Sequence, residues 1–198
     1  MKLPFDHFDF IARWYDRLIG RPADDPLPRL LEAGAGGWVL DVGGGTGRNV
    51  QSLNAPGARV VICDFARGMV RQARGKGLPA VLGDVSHLPF AADCADRVLV
   101  VDAFHHFVHP APEVAQRRAA QELLRVLRPG GRLVIEEPDI RHVGTKLVAW
   151  MERLLLMGSR FWTSEDLVSL FEAAGGRALH VEHNRFSAWI VFTKDRAG

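Results

Sequence analysis

Val39-Leu-Asp-Val-Gly-Gly-Gly-Thr-Gly-Arg48 carries an apolar strand through Asp41 into a loop with glycines at 43, 44, 45 and 47. Glycines this dense let the backbone turn sharply and approach a ligand closely, and a helix over 46–54 would aim its free N–H groups at whatever sits there. The pattern predicts a nucleotide-type cofactor site; a purely structural turn is the other reading, since small residues serve turns as well. Two ligand classes compete for such a loop. NAD or FAD brings a pyrophosphate and expects G-x-G-x-x-G with a ribose-binding acid about 20 residues on. Here the spacing is Gly43-x-Gly45-x-Gly47, and Arg48 stands where the third glycine would fall. The carboxylate of Asp41 would repel a pyrophosphate and attract an ammonium or sulfonium, directly or through water. The loop therefore favours a zwitterionic nucleotide that bears an amino acid.

Three further strand ends supply partners for such a ligand. Arg59-Val-Val-Ile-Cys-Asp64 ends in an acid placed to take both ribose hydroxyls, and Phe65 and Met69 after it could pack on a purine. Ala80-Val-Leu-Gly-Asp-Val-Ser-His-Leu-Pro-Phe90 brings Asp84, which can accept a hydrogen bond from an exocyclic amine. The strand over 96–101 delivers Asp102 and Phe104-His-His-Phe107 to the same sheet edge.

Leu40-Asp-Val-Gly-Gly-Gly-Thr-Gly47, Asp64, Gly83-Asp-Val-Ser-His-Leu-Pro-Phe90 and Leu127-Arg-Pro-Gly-Gly-Arg-Leu133 together resemble the class I S-adenosylmethionine-dependent methyltransferases. The similarity is strongest to the small-molecule branch around the ubiquinone and menaquinone methyltransferases, and it spans roughly residues 5 to 194. The resemblance implies a Rossmann-like, seven-stranded, mostly parallel sheet with an antiparallel last strand and helices on both faces. Residues 1–36 would be a short N-terminal helical lid, and 37–198 the core of the same domain. It further implies that Gly43, Gly45 and Gly47 cradle the methionine part of S-adenosyl-L-methionine, Asp64 the ribose, and Asp84 with Val85 the adenine. S-adenosyl-L-homocysteine would be the product. Tyr15, the only tyrosine, precedes Asp16 as in similar enzymes, where the pair approaches the cofactor.

Composition agrees with one compact domain. A chain of 198 residues, 47% hydrophobic and 24% charged, is ordinary globular usage. The net charge of +2 and the scatter of the 25 basic residues do not point to nucleic acid. Cys63 and Cys94 fit neither a disulfide framework nor a metal spacing, so no metal is expected. No apolar run approaches the roughly 18 residues that a membrane span needs, and the N-terminus lacks a basic-then-apolar signal, so the expectation is a cytoplasmic protein without stable membrane insertion. The sequence leaves monomer or homodimer open.

Strands are expected near 38–42, 59–64, 79–82, 96–101 and 131–136. Helices are expected near 6–19, 26–34, 46–54, 66–75, 112–127, 144–157 and 164–174. This alternation implies a parallel sheet covered on both faces. Arg177–His183 and Ser187–Thr193 flank a connection too short for a parallel crossover, so they should pair antiparallel.

His105 is the candidate general base, because an imidazole titrates near neutrality and can take a proton from a phenol, enol or amine acceptor. The alternative is a histidine pair that satisfies loop carbonyls beneath the cofactor. His106 should point the other way if the segment is extended, and the resemblance, in which the loop after this strand lines the acceptor pocket, implies a place for it in the substrate pocket. Of Glu136 and Glu137, one, with Glu137 favoured for a place in the substrate pocket, is expected to meet the acceptor or hold His105, and the other to pair with an arginine. The apolar excess over 147–162, which includes Trp150, suits a lipophilic small-molecule acceptor, a partner subunit or a membrane surface, or else simple core packing against the sheet. Two competing functions remain: a module that binds the cofactor without turnover, and a nicotinamide-dependent reductase, which Arg48 and Asp41 disfavour.

Overall fold

The computed structural model describes residues 12, 26–33, 36–50, 53, 57–109, 111–141, 159–184 and 187–195. Tyr15 and Trp150, the front helix expected over 6–19 and the helix expected over 144–157 lie outside the described residues. Seven strands form one sheet: β1 (Trp38–Val42), β2 (Arg59–Asp64), β3 (Ala80–Leu82), β4 (Ala95–Val101), β5 (Leu127–Pro138), β6 (Gly176–His183) and β7 (Ser187–Lys194). Their order is β3-β2-β1-β4-β5-β7-β6. β1 to β5 pair in parallel, and β7 runs antiparallel to both β5 and β6, as the short connection requires. The order reverses between β1 and β4. A crevice opens beyond the carboxyl ends of the strands at such a switch point.

Strand periodicity divides the core. Leu40, Val42, Val98, Val100, Leu133 and Ile135 face the helices α3 (Pro112–Val126) and α4 (Ser164–Ala173), joined there by Leu123, Leu167 and Phe171. Val39, Leu99, Val134 and Trp189 face the other way, against Leu27, Leu30 and Leu31 of the short helix α1 (Leu27–Leu31). On that second face, Ile62 and Ala80 meet Val70 and Ala73 of α2 (Arg67–Gly75). Cys63 is buried and Cys94 exposed, neither in a disulfide.

Two elements differ from expectation. Residues 45–49 form successive turns instead of the start of a helix over 46–54. Gly45 and Gly47 take φ of +57° and +78°, and an α-helix of L-residues cannot pass through that region. β5 begins at Leu127 instead of 131, because the end of α3 runs straight into pairing of Leu127 with Ala95.

Candidate active site

The glycine loop follows from β1. Gly43 has φ +72°, and its N–H donates to the Cys63 carbonyl of the neighbouring strand at 2.8 Å. A methyl group there would meet Ala103 Cβ at 2.7 Å, so only glycine lets the loop lie against the segment after β4. Beneath the loop Asp41 is fully buried, and among the described residues neither carboxylate oxygen has a hydrogen-bond partner. A methyl group on Gly44 would fall 2.8 Å from Asp41 Oδ1, which places the carboxylate directly under the turn. Burial pushes the Asp41 carboxyl up to about 7; the charge of Asp64 adds to this and Arg48 opposes it. An orphaned buried acid under a glycine cradle fits a ligand that brings a cation and does not fit a pyrophosphate.

Asp64 ends β2 and holds the loop in place. Its Oδ2 accepts from Gly45 N–H and its Oδ1 from Ala66 N–H, both at 2.8 Å. Phe65 beside it is 64% exposed, a large apolar ring presented at the strand end. Met69 is enclosed with Ala12 and Ala66, so of the two residues expected to pack on a purine only Phe65 is open to one. Asp84 is exposed and accepts from Ser86 N–H at 2.8 Å, forming an Asx turn, while Val85 packs on the main core. The loop is pinned to the Asp64 strand end by Gly83 N–H donating to the Asp64 carbonyl at 3.0 Å.

Across the switch point, Asp102 takes φ +52° and its N–H donates to the Glu136 carbonyl at 3.0 Å. The chain then forms a 3₁₀ turn, Phe104–His106, anchored by the fully buried Phe104 against Phe171. Glu137 caps this turn. Its Oε1 accepts from the amides of Ala103 at 3.1 Å and Phe104 at 2.6 Å, and its Oε2 from the amide of His105 at 3.2 Å and from His105 Nδ1 at 2.7 Å. His105 is 2% exposed and its ring stacks on Phe161, 4.6 Å between centroids.

The tight turn corrects the expectation for His106. The segment is not extended, so the two imidazoles lie side by side at 4.0 Å, and His106 Nδ1 meets Ser159 Oγ at 3.1 Å. Burial, with His105 adjacent, drives the His106 imidazole down to about 2, which keeps it neutral. Glu136 also departs from expectation. Among the described residues it has no arginine partner; burial and the neighbouring Asp102 push its carboxyl up to about 8, against a hydrogen bond from Ser187.

Sequence reasoning missed Gln116, and it singled out the stretch 147–162 without foreseeing that 159–162 packs around His105. A glutamine in line with Ala119, Ala120 and Leu123 on the buried face of α3 was the available signal. Among the described residues no group of His, Cys, Asp and Glu could hold a metal ion, and no helix is long and apolar enough to cross a membrane.

The comparisons with known proteins agree with this edge. Residues 40–135 match a family model described as a methyltransferase domain. The demethylmenaquinone methyltransferase of Thermobifida fusca is 40% identical over 144 residues, 66% of this chain, and the match spans 58% of that relative's length. The demethylmenaquinone methyltransferase of Clavibacter sepedonicus is 31% identical over 216 residues, covering 93% of this chain and 85% of the relative. Among solved structures, the cyclase SpnF superposes with a TM-score of 0.73 at 19% identity, over 96% of this chain and 94% of its own, which shows a shared fold. With a near full-length relative at that identity, the chain belongs to the class I S-adenosylmethionine-dependent methyltransferases, in the branch that holds the demethylmenaquinone methyltransferases.

Proposed function

We propose that this protein transfers the methyl group of S-adenosylmethionine to a small lipophilic acceptor carrying a phenol or enol hydroxyl, a quinol of the demethylmenaquinone kind. The fold alone does not decide chemistry, since a cyclase shares it, so the reading rests on the site. The observation that carries it is the buried, unpartnered Asp41 beneath the glycine loop, beside an Asp64 already tied to that loop. Asp41 meets the positive charge of the methionine part, Asp64 the ribose, and Phe65, Asp84 and Val85 the adenine. When bound, the cofactor supplies a methyl group on a sulfonium, whose departure leaves the neutral thioether of S-adenosylhomocysteine. The protein's work is alignment and exclusion of water. Ala12 contacts Ala66 and Met69 at the β2–α2 corner, which supports a lid role for the front segment that holds Tyr15. The apolar stretch 147–162, Trp150 included, is the proposed contact for a lipophilic acceptor. The relatives' names support a lipophilic acceptor. The protein works in the cytoplasm as a monomer or homodimer, with neither nucleic acid nor membrane insertion.

His105 is the proton acceptor in this reading. Donation from Nδ1 to Glu137 fixes the tautomer whose basic lone pair is on Nε2. His105→Gln is expected to leave calorimetric affinity for S-adenosylmethionine unchanged while transfer to a short-chain demethylmenaquinol, followed by mass spectrometry, slows about 100-fold. Transfer at the wild-type rate would remove His105 from the chemistry. Tight cofactor binding with no product from any quinol would favour a binding module.

Asp41 makes cofactor affinity depend on pH. The carboxyl sits at about 7 in the folded protein, so below that pH the ligand's cation must displace a proton. Affinity is therefore expected to rise up to tenfold per pH unit from about 5.5 to 7 and to level off above it. Proton release should appear as a buffer-dependent binding enthalpy, and Asp41→Asn should abolish both effects. For the ligand-free protein the sign reverses. A carboxyl raised from 3.8 stabilises the fold least when ionised, so its contribution is lost as pH climbs from about 4 to 7. A flat affinity profile across this window would show that the ammonium binds elsewhere.

A further inference from the structure

The four residues 159–162 lie across the His105 turn, and one buried side chain ties them to it. Gln116 of α3 is fully buried. Its Nε2 donates to the Phe104 carbonyl at 3.3 Å and to the Arg160 carbonyl at 3.1 Å, and its Oε1 accepts from Trp162 Nε1 at 2.9 Å. Two carbonyls demand the amino group and the indole demands the oxygen, so the amide has one orientation and every partner is satisfied. The strap it holds completes the surroundings of the two imidazoles. Arg160 N–H donates to the His105 carbonyl at 2.9 Å, Phe161 stacks on the His105 ring, and Ser159 Oγ meets His106. Arg160 closes the outer side, its guanidinium over Trp162 at 4.5 Å and paired with Glu113 of α3 at 3.1 Å.

We propose that Gln116 is a positioning residue: by fastening the 159–162 strap to the Phe104–His106 turn it holds the His105 ring between the Glu137 carboxylate and Phe161. The inference rests on the reading of His105 as the base for transfer, and it deepens that reading. Glu137 holds the His105 ring at Nδ1, and the strap supplies a wall through Phe161. The same strap is the end of the stretch, 147–162, that carries the apolar acceptor-side residues.

Gln116→Leu removes all three hydrogen bonds at similar volume, and Trp162→Phe removes only the indole donor, which keeps the question open to test if the first variant does not fold. In long-range ¹H–¹⁵N spectra, His105 of the wild type is expected as a single Nε2-unprotonated tautomer. Either variant should broaden or split that signal. With short-chain demethylmenaquinol, kcat should fall about tenfold while calorimetric affinity for S-adenosylmethionine stays within twofold, and the pH at half-maximal kcat should move. Gln116→Glu should recover part of the rate only at low pH, where a protonated carboxyl can again donate to one carbonyl. Unchanged His105 signals and an unchanged kcat in a folded variant overturn the proposal. His105→Gln separates the two readings. If it transfers at the wild-type rate the base assignment fails, while the spectra still decide whether Gln116 fixes the ring.

Discussion

Asp64→Ala is expected to weaken S-adenosylmethionine binding about 100- to 1,000-fold. The carboxylate already accepts the Gly45 and Ala66 amides at 2.8 Å each, which fixes its plane against the loop. Each carboxylate oxygen accepts in two directions, so the same group can hold the loop and two vicinal ribose hydroxyls together. Two hydrogen bonds to a charged acceptor, at roughly 1.5–2 kcal/mol each, amount to about 3–4 kcal/mol, which converts to the stated factor. Asp64→Asn keeps one oxygen and should fall between. The fold should tolerate either change, because Asp64 is only half-buried and water can reach the released amides. Calorimetric titration reads the result directly. An affinity within threefold of wild type would mean that the ribose is held elsewhere.

The parts of this molecule that were legible in the sequence are those set by local pattern. β1 and β2 fall on the residues expected, because apolar runs that end in Asp41 and Asp64 leave little choice of boundary. The reversed strand followed from the short link between Arg177–His183 and Ser187–Thr193, a constraint of chain length. What was not legible depends on positive φ and on long-range contacts. The turns over 45–49 arise because Gly45 and Gly47 adopt left-handed backbone, which glycine permits without announcing. The side-by-side imidazoles needed a 3₁₀ turn capped by Glu137, and that cap comes from a residue 32 positions away. Gln116 reads as one polar interruption in a helix until residues 44 and 46 positions further on supply its partners. Glu136 and Glu137 adjoin in sequence but point to opposite faces of β5, so one carboxylate has four donors and the other a raised pKa beside Asp102.

Glu137 should prove the most costly single side chain to remove. It is 4% exposed and receives four N–H donors, three of them backbone amides of the Ala103–His105 segment. In Glu137→Ala those donors lose their acceptor in a site water does not reach. At roughly 1–3 kcal/mol for each stranded group the loss is about 5 kcal/mol, in the exceptional range for a point mutation. For a chain of this length that corresponds to a thermal midpoint lower by roughly 10–20 °C. A fall of less than about 3 °C would show that the turn does not depend on its cap. Glu137→Gln separates stability from chemistry. Its carbonyl oxygen can still serve the Ala103 and Phe104 amides, but its amino group would face His105 Nδ1 and force that nitrogen to accept. The ring's proton must then move to Nε2, and the basic lone pair is lost. The expected result is a destabilisation of only about 2 kcal/mol, with cofactor affinity intact and transfer slowed about 100-fold. If Glu137→Gln transfers methyl at the wild-type rate, the carboxylate serves the turn alone, and the proton leaves the acceptor by a route that does not pass through His105.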